Sequence, residues 1–171
     1  LATWRSMFNG DTPPPSLAPE YYLTMAGDKA LYPQAVAQLK NFAVQNPQDN
    51  AARIALGKML TWREETRRDG ILLLEPMASG SKDADEGLRQ ALLWLGPQAG
   101  DERFYDTWLQ RHPQDTDVQN YYRKNVGGAA KGAGFTALNS GDASAAKRKF
   151  EQVLQTNPDD ADALAGMGYI A

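Results

Sequence analysis

Few residues in this chain could do bond-making chemistry. The 171 residues include one histidine, His112, and no cysteine. Disulfides, thiolate metal sites and cysteine nucleophiles are therefore excluded. His112 stands beside Pro113, a helix-ending residue, and reads as a satisfied or solvated side chain. The carboxylates gather as Glu64-Glu65, Asp83-Asp85-Glu86 and Asp159-Asp160, in the places of turns and helix caps, without the spacing of a calcium loop. Gly127-Gly128-Ala129-Ala130-Lys131-Gly132 lacks the residue order of a phosphate loop. No catalytic residue, no metal site and no cofactor is expected, so the chain is read as a non-enzyme. What remains is binding chemistry. Trp62, Phe135 and Tyr169 carry flat rings that can stack on an apolar ligand face or pack on a neighbouring helix, and Lys58 lies one helical turn before Trp62.

Whether those rings face outward depends on the helices that hold them. Gly134 and Gly168 are 34 residues apart. Counting a unit from Gly127 puts Gly134 in a small slot, Ala146 in a second, Phe150 in a large apolar slot and Pro158 at the end. A second unit then starts at Ala161, with Leu164, Met167 and Gly168 in its first helix. Only Gly or Ala lets two helices cross closely, Phe150 fills the space between helix pairs, and Pro158 stops the second helix. Asp159 or Asp160 caps the next one. This is the tetratricopeptide pattern, a helix–turn–helix unit of about 34 residues. Trp62, Lys58, Phe135 and Tyr169 fall on the inner face of first helices in that register, and are the expected binding residues. A clamp for a peptide carboxylate needs Lys, Asn and Arg together on that face. The chain offers Lys131, Phe135 and Asn139 in one unit and Ile54, Lys58 and Trp62 in another, so the set is incomplete.

In chain order, Leu1 to Phe8 reads as the end of a second helix, stopped by Asn9-Gly10 and Pro13-Pro14-Pro15. The next unit has Tyr21, Tyr22 and Met25 on its first helix, then Ala35, Leu39 and Pro47 in the slots of its second. A third opens at the cap Asp49, with Leu56-Gly57, a turn from Trp62 to Asp69, and Gly70 and Leu74. Pro76 is expected to kink or end that helix early. In the fourth, Ala91 takes the small slot and Trp94 the aromatic one, so Trp94 is expected in the core with Phe104, Trp108 and Phe150. The phase then breaks. Pro113 to Pro158 is 45 residues, eleven more than one repeat. Asp115 to Asn125 reads as an inserted helix without a repeat partner, followed by Gly127-Gly128 as a hinge. The expected organisation is a repeat block over 1–113 (a partial repeat plus about three helix pairs), a hinge helix over 114–126, and a block over 127–171 holding one full repeat and the first helix of the next. The fold is all-α, a right-handed superhelical solenoid with one inserted, unpaired helix.

Net charge is −3, which argues against nucleic acid or an anionic membrane as partner. No run of about 18 apolar residues occurs, so no membrane insertion is expected, and nothing at the start reads as a signal peptide. The start at Leu1 and the stop at Ala171 within a repeat's first helix are read as those of a piece of a longer protein.

Phe8-Asn9-Gly10 with the proline joint, Tyr21-Tyr22, Ala35-Val36-Ala37-Gln38-Leu39, Arg67-Arg68-Asp69-Gly70 and Leu74-Glu75-Pro76-Met77-Ala78-Ser79 resemble the periplasmic tetratricopeptide-repeat region of the C-component family of the bacterial cellulose synthase complex. After Gly127 only the general repeat pattern remains, and the insertion is shorter than the family's. The resemblance implies a periplasmic segment of a longer, outer-membrane-anchored protein. Its role would be a scaffold in cellulose biosynthesis and export that links the synthase to an outer-membrane pore. The implied partners are the other members of the synthase complex, with the glucan chain itself a further candidate. Its rivals are a peptide-binding repeat adaptor in envelope assembly and the helical domain of an enzyme whose active site lies elsewhere.

Overall fold

Apolar residues at helical spacing, cut by Gly, Pro and Asp at regular intervals, yield a chain of short helices. The structure, a computed structural model, describes residues 13–98 and 100–171. The helix end expected over Leu1 to Phe8 lies outside the described residues. After a single 3₁₀ turn at Pro15–Leu17, the helices are α1 Ala18–Ala26, α2 Tyr32–Gln45, α3 Asn50–Thr61, α4 Glu64–Ala78 and α5 Lys82–Trp94. They continue as α6 Glu102–Arg111, α7 Thr116–Tyr121, a π-helical segment Tyr122–Val126, α8 Gly127–Asn139, α9 Ala143–Thr156 and α10 Ala161–Ile170. The described residues contain no strand. They form two compact units, one ending at Leu95 and one running from Gly96 to Ala171. The sequence reading ends its first block at residue 113 because it follows the repeat period, and Gly96-Pro97 leaves that period unbroken.

In the first unit α1 packs on α2, α3 on α4 and α4 on α5, while α1, α3 and α5 also touch in succession. The crossings work as the small residues suggest. A Cβ on Gly70 would lie 2.7 Å from the Gly57 carbonyl oxygen, and one on Gly57 would lie 2.8 Å from the Leu74 side chain. Ala35, Leu39, Leu74 and Ala91 are fully buried. Asp49 caps α3 by accepting from the Ala52 N–H at 2.9 Å, and Ser81 caps α5 through the Ala84 N–H.

Three details of this unit differ from expectation. The turn expected from Trp62 to Asp69 is only Trp62-Arg63, because Glu64-Glu65 opens α4 at once; acidic residues suit a first turn. Pro76 does not end the helix, since α4 runs on to Ala78. So late in the helix, Pro removes a single bond close to the frayed end. Trp94, expected in the core, is 48% exposed. The buried stripe of α5 and its end is Ala84, Leu88, Ala91, Leu92 and Leu95, and at 3.6 residues per turn Trp94 lies roughly a quarter-turn off it.

In the second unit α9 packs against both α8 and α10. Phe150 is fully buried among Ala130, Ala146, Val153 and Ala163. Its ring presses on Gly134, where a Cβ would come within 2.7 Å, and still more closely on Gly166. Gly168, placed in the small slot by period, has open space beside it. The inserted helix is not bare. Val118, Tyr122 and Val126, spaced by four, are buried, and the Tyr105 ring of α6 stacks on Tyr121 and Tyr122 at 6.2 and 5.3 Å. Helical backbone continues from Thr116 through Gly127-Gly128 to Asn139. The π turn adds a residue where the inserted helix joins α8, and Asn125 donates its side-chain N–H to the Tyr121 carbonyl at 3.0 Å.

A tryptophan-lined groove as candidate functional site

The C-terminal end of α3 is held unusually firmly. A helix leaves its last four carbonyls without intrahelical partners. Here the Thr61 hydroxyl donates to the Lys58 carbonyl at 2.7 Å and the Tyr32 hydroxyl to the Met59 carbonyl at 3.0 Å. The Thr66 hydroxyl donates to the Leu60 carbonyl at 2.7 Å, and Arg67 Nε to the Thr61 carbonyl at 2.9 Å. Arg67 also reaches across to the end of α5, donating Nη1 to the Trp94 carbonyl at 2.9 Å. A cation at two helix C-termini meets the negative ends of both dipoles, so one guanidinium fastens α3, α4 and α5 together.

Trp62, the residue after α3, and Trp94, the last of α5, stand beside this fastening. They and Arg67 line an open groove of about 510 Å³. Trp62 is 37% exposed. Neither indole N–H makes a hydrogen bond among the described residues. Among the described residues no acid, base or nucleophile lines the groove. It can therefore offer a ligand two ring faces and two indole N–H donors.

The other expected site residues lie elsewhere. Lys58 is on α3 but is engaged in an ion pair with Asp83 on α5, and its methylenes lie against Gly87. Phe135 packs edge-on against Phe150, centroids 4.9 Å apart, as a half-buried part of the second unit's core. Tyr169 is 76% exposed on α10. Lys131, the clamp position, bonds Asp160 and Asp162 at 3.2 and 2.9 Å. The Asp162 hydrogen bond raises the Lys131 pKa. The Ala163 N–H and Lys131 together hold the Asp160 carboxyl below its usual range. His112 stacks on Trp108 at 3.9 Å. Thus Trp62 is joined by Trp94 and Arg67, which sequence reasoning did not place with it. The signal available was local: Arg67 falls one turn into α4, within reach of a preceding helix end.

In the second unit a smaller concavity of about 310 Å³ is lined by Asp106, Leu109, Gln119, Tyr122 and Arg123. The Tyr122 hydroxyl donates to Asp106 at 3.2 Å. Burial raises the Asp106 pKa, partly offset by that bond, and burial beside Asp106 raises that of Tyr122.

Among the described residues the structure is thus all-helical, with packed helix pairs and an open groove lined by two tryptophans. Over its whole length the chain is homologous to cellulose synthase operon protein C of several bacteria. It is similar to the "Cellulose synthase 1 operon protein C" of Komagataeibacter xylinus, with 38% identity over the full chain. The corresponding protein of Xanthomonas axonopodis pv. citri is 33% identical over 98% of the chain, and that of Pseudomonas fluorescens 32% over 99%. The chain spans 14% of the length of the Komagataeibacter relative and 12% of the Xanthomonas one. No family model matches the chain, and no solved structure does. The resemblance to the C component of the cellulose synthase complex is borne out, and a role in cellulose biosynthesis fits the names of these relatives.

Proposed function

We propose that this chain is a non-catalytic segment of a periplasmic scaffold in cellulose biosynthesis and export, linking the synthase to an outer-membrane pore. The observation that carries this reading is homology along the entire chain to a protein of the cellulose synthase operon. The fold supports it. Helix pairs whose crossings hinge on Gly57, Gly70 and Gly134, and in which α1, α3 and α5 touch in succession, suit a right-handed tetratricopeptide solenoid, an architecture that offers long surfaces for partners. In this reading the repeat phase changes between residues 114 and 126, and Gly127-Gly128 is a point where the stack can bend. The described residues contain no helix long and apolar enough to cross a membrane, which suits a segment working between membranes. The peptide-adaptor reading is weaker, because Lys58 and Lys131 are already engaged by carboxylates.

The test is deletion of residues 13–171 from the full-length protein in a cellulose-secreting bacterium. The scaffold reading expects secreted cellulose to fall and co-purification of the other synthase components to weaken. Secretion and co-purification both at parental level would remove it.

A further inference from the structure

We propose that the groove between Trp62 and Trp94 binds one β-1,4-linked glucan segment. The two indoles stack on the apolar faces of successive sugar rings, and Arg67 fastens the helix ends that carry them. This rests on the reading of the chain as part of the cellulose export machinery and names the ligand of one site within it.

Three features select a neutral sugar chain. First, the described tryptophans divide sharply: Trp108 is buried and bonded to Asp115 at 3.0 Å, whereas Trp62 and Trp94 are 37% and 48% exposed and share one groove. Leaving two large rings in water at one place is costly. A β-linked glucose ring carries its hydroxyls around the edge and C–H bonds on both faces. A flat indole covers such a face and loses little conformational entropy in doing so. The free indole N–H groups can donate to ring-edge hydroxyls. Second, among the described residues the groove has no carboxylate, and its one cation is spent on the carbonyl ends of α3 and α5. An anionic ligand would find a guanidinium already satisfied on two of its nitrogens, so the charge balance favours a neutral occupant. Third, the groove is open rather than enclosed, so a polymer can lie across it. Its volume of about 510 Å³ lies within the range of about 300–1,000 Å³ typical of ligand sites. The bonds of Arg67 to the Thr61 and Trp94 carbonyls fix the helix ends that carry the two indoles before the ligand arrives, which lowers the cost of binding.

The experiment is a titration of the protein with cellohexaose, followed by the indole N–H signals in a ¹⁵N NMR spectrum. The Trp62 and Trp94 signals are assigned with Trp62→Phe and Trp94→Phe. The expected result is a shift of those two signals, no shift of the Trp108 signal, and at least tenfold weaker binding in Trp62→Ala and in Trp94→Ala. Maltohexaose, with α-linkages and a curved chain, is expected to bind at least tenfold more weakly than cellohexaose. The wild-type titration decides the matter even where an alanine variant folds poorly. Cellohexaose that shifts neither signal, or that binds equally well to both alanine variants, overturns the proposal. Equal binding of maltohexaose overturns its linkage selectivity. The scaffold reading survives such a result if deletion of the segment still reduces secretion and co-purification. It fails separately if deletion has no effect while cellohexaose binds.

Discussion

Two groups of aromatic residues in this molecule have opposite fates. In the first unit Trp62 and Trp94 are half-exposed and leave their indole N–H groups to solvent. In the second, Tyr105, Trp108 and Tyr122 are buried. There the polar tips of Trp108 and Tyr122 bond Asp115 and Asp106. The difference is one of position along helices. Tyr105 and Trp108 lie inside α6, three residues apart, where Tyr105 stacks on Tyr121 and Tyr122 and Trp108 reaches Asp115. Trp62 and Trp94 lie at helix ends, where the chain is about to turn and where the neighbouring Thr61 and Leu95 take the buried places. Rings within a stripe build a core; rings at two adjacent helix ends, tied by Arg67, build a surface.

The comparison breaks most easily at its buried side. Tyr105→Ala removes a fully buried ring stacked on two others and should cost about 3–5 kcal/mol, as should Phe150→Ala at the centre of α8, α9 and α10. Urea unfolding curves check both. A loss below about 1 kcal/mol at either would mean that the ring is not core. Gly70→Ala comes next. Its new Cβ would meet backbone at the Gly57 oxygen and the Thr61 nitrogen, 2.7 and 2.8 Å away, and backbone yields less readily than a side chain. The expected cost is about 1–3 kcal/mol. Unchanged stability would dissolve the close crossing of α3 and α4 at Gly57 and Gly70.

Helix ends themselves can be tested at Asp160, which caps α10 by accepting from the Ala163 N–H at 2.9 Å and pairs with Lys131. Asp160→Ala should cost about 0.5–2 kcal/mol. The carboxyl is held below its usual range in the folded protein. Its contribution is therefore present above the unfolded value near 4 and is lost as pH falls through the lower, folded value. Asp106 has the opposite sign: burial raises its pKa, so its ionisation opposes folding above that raised value. Thermal melts of the parent and of Asp160→Asn between about pH 2 and 7 should converge at the acid end. Parallel curves would show that Asp160 carries no such linkage.

Much of the frame was legible because its signals are local and steric. Gly57 against Gly70, Gly134 against Phe150, and Asp49 and Asp160 at helix starts all follow from what a missing Cβ or a short carboxylate can do. The groove was legible only in part. Trp62 was placed on a binding face by its register, but Trp94 was assigned to the core by the same register. Nothing in a period of 34 says that Leu95, one residue later, would take the buried position. Arg67 was legible only toward the nearby end of α3: its bond to the Thr61 carbonyl spans six residues, but its bond to the Trp94 carbonyl joins residues 27 apart through a backbone atom, which residue types do not encode. The inserted stretch showed its cap and its apolar edge in sequence. The continuous helix through Gly127-Gly128 prevailed over two unfavourable propensities because Val118, Tyr122 and Val126 on one side and Ala130 and Gly134 on the other are buried along it. Tertiary burial of that size outweighs about 1 kcal/mol per glycine. With open space beside both glycines, Gly127→Ala should add up to about 1 kcal/mol of stability. It should also slow amide exchange over residues 122–132. No change in exchange would remove Gly127 as a soft point of the helix.

The smallest expected effect sharpens the comparison most. Trp94→Ala removes one of the largest side chains in its unit, yet stability should change by no more than about 0.5 kcal/mol, as at an ordinary surface position. The reason is that Ala91, Leu92 and Leu95 already fill the buried face of α5, and that Arg67 bonds the backbone carbonyl of residue 94, which any residue supplies. The same size of change at Tyr105 should cost several times more. Acrylamide quenching separates the two classes without any unfolding: fluorescence from Trp62 and Trp94 should be quenched readily and that from Trp108 poorly. Trp94→Phe and Trp62→Phe, each removing one emitter, should lower the quenchable fraction stepwise, while Trp108→Phe should raise it. A Trp94→Ala protein that unfolds at clearly lower urea, or a quenchable fraction unchanged by both phenylalanine variants, would place Trp94 back in the core and close the groove.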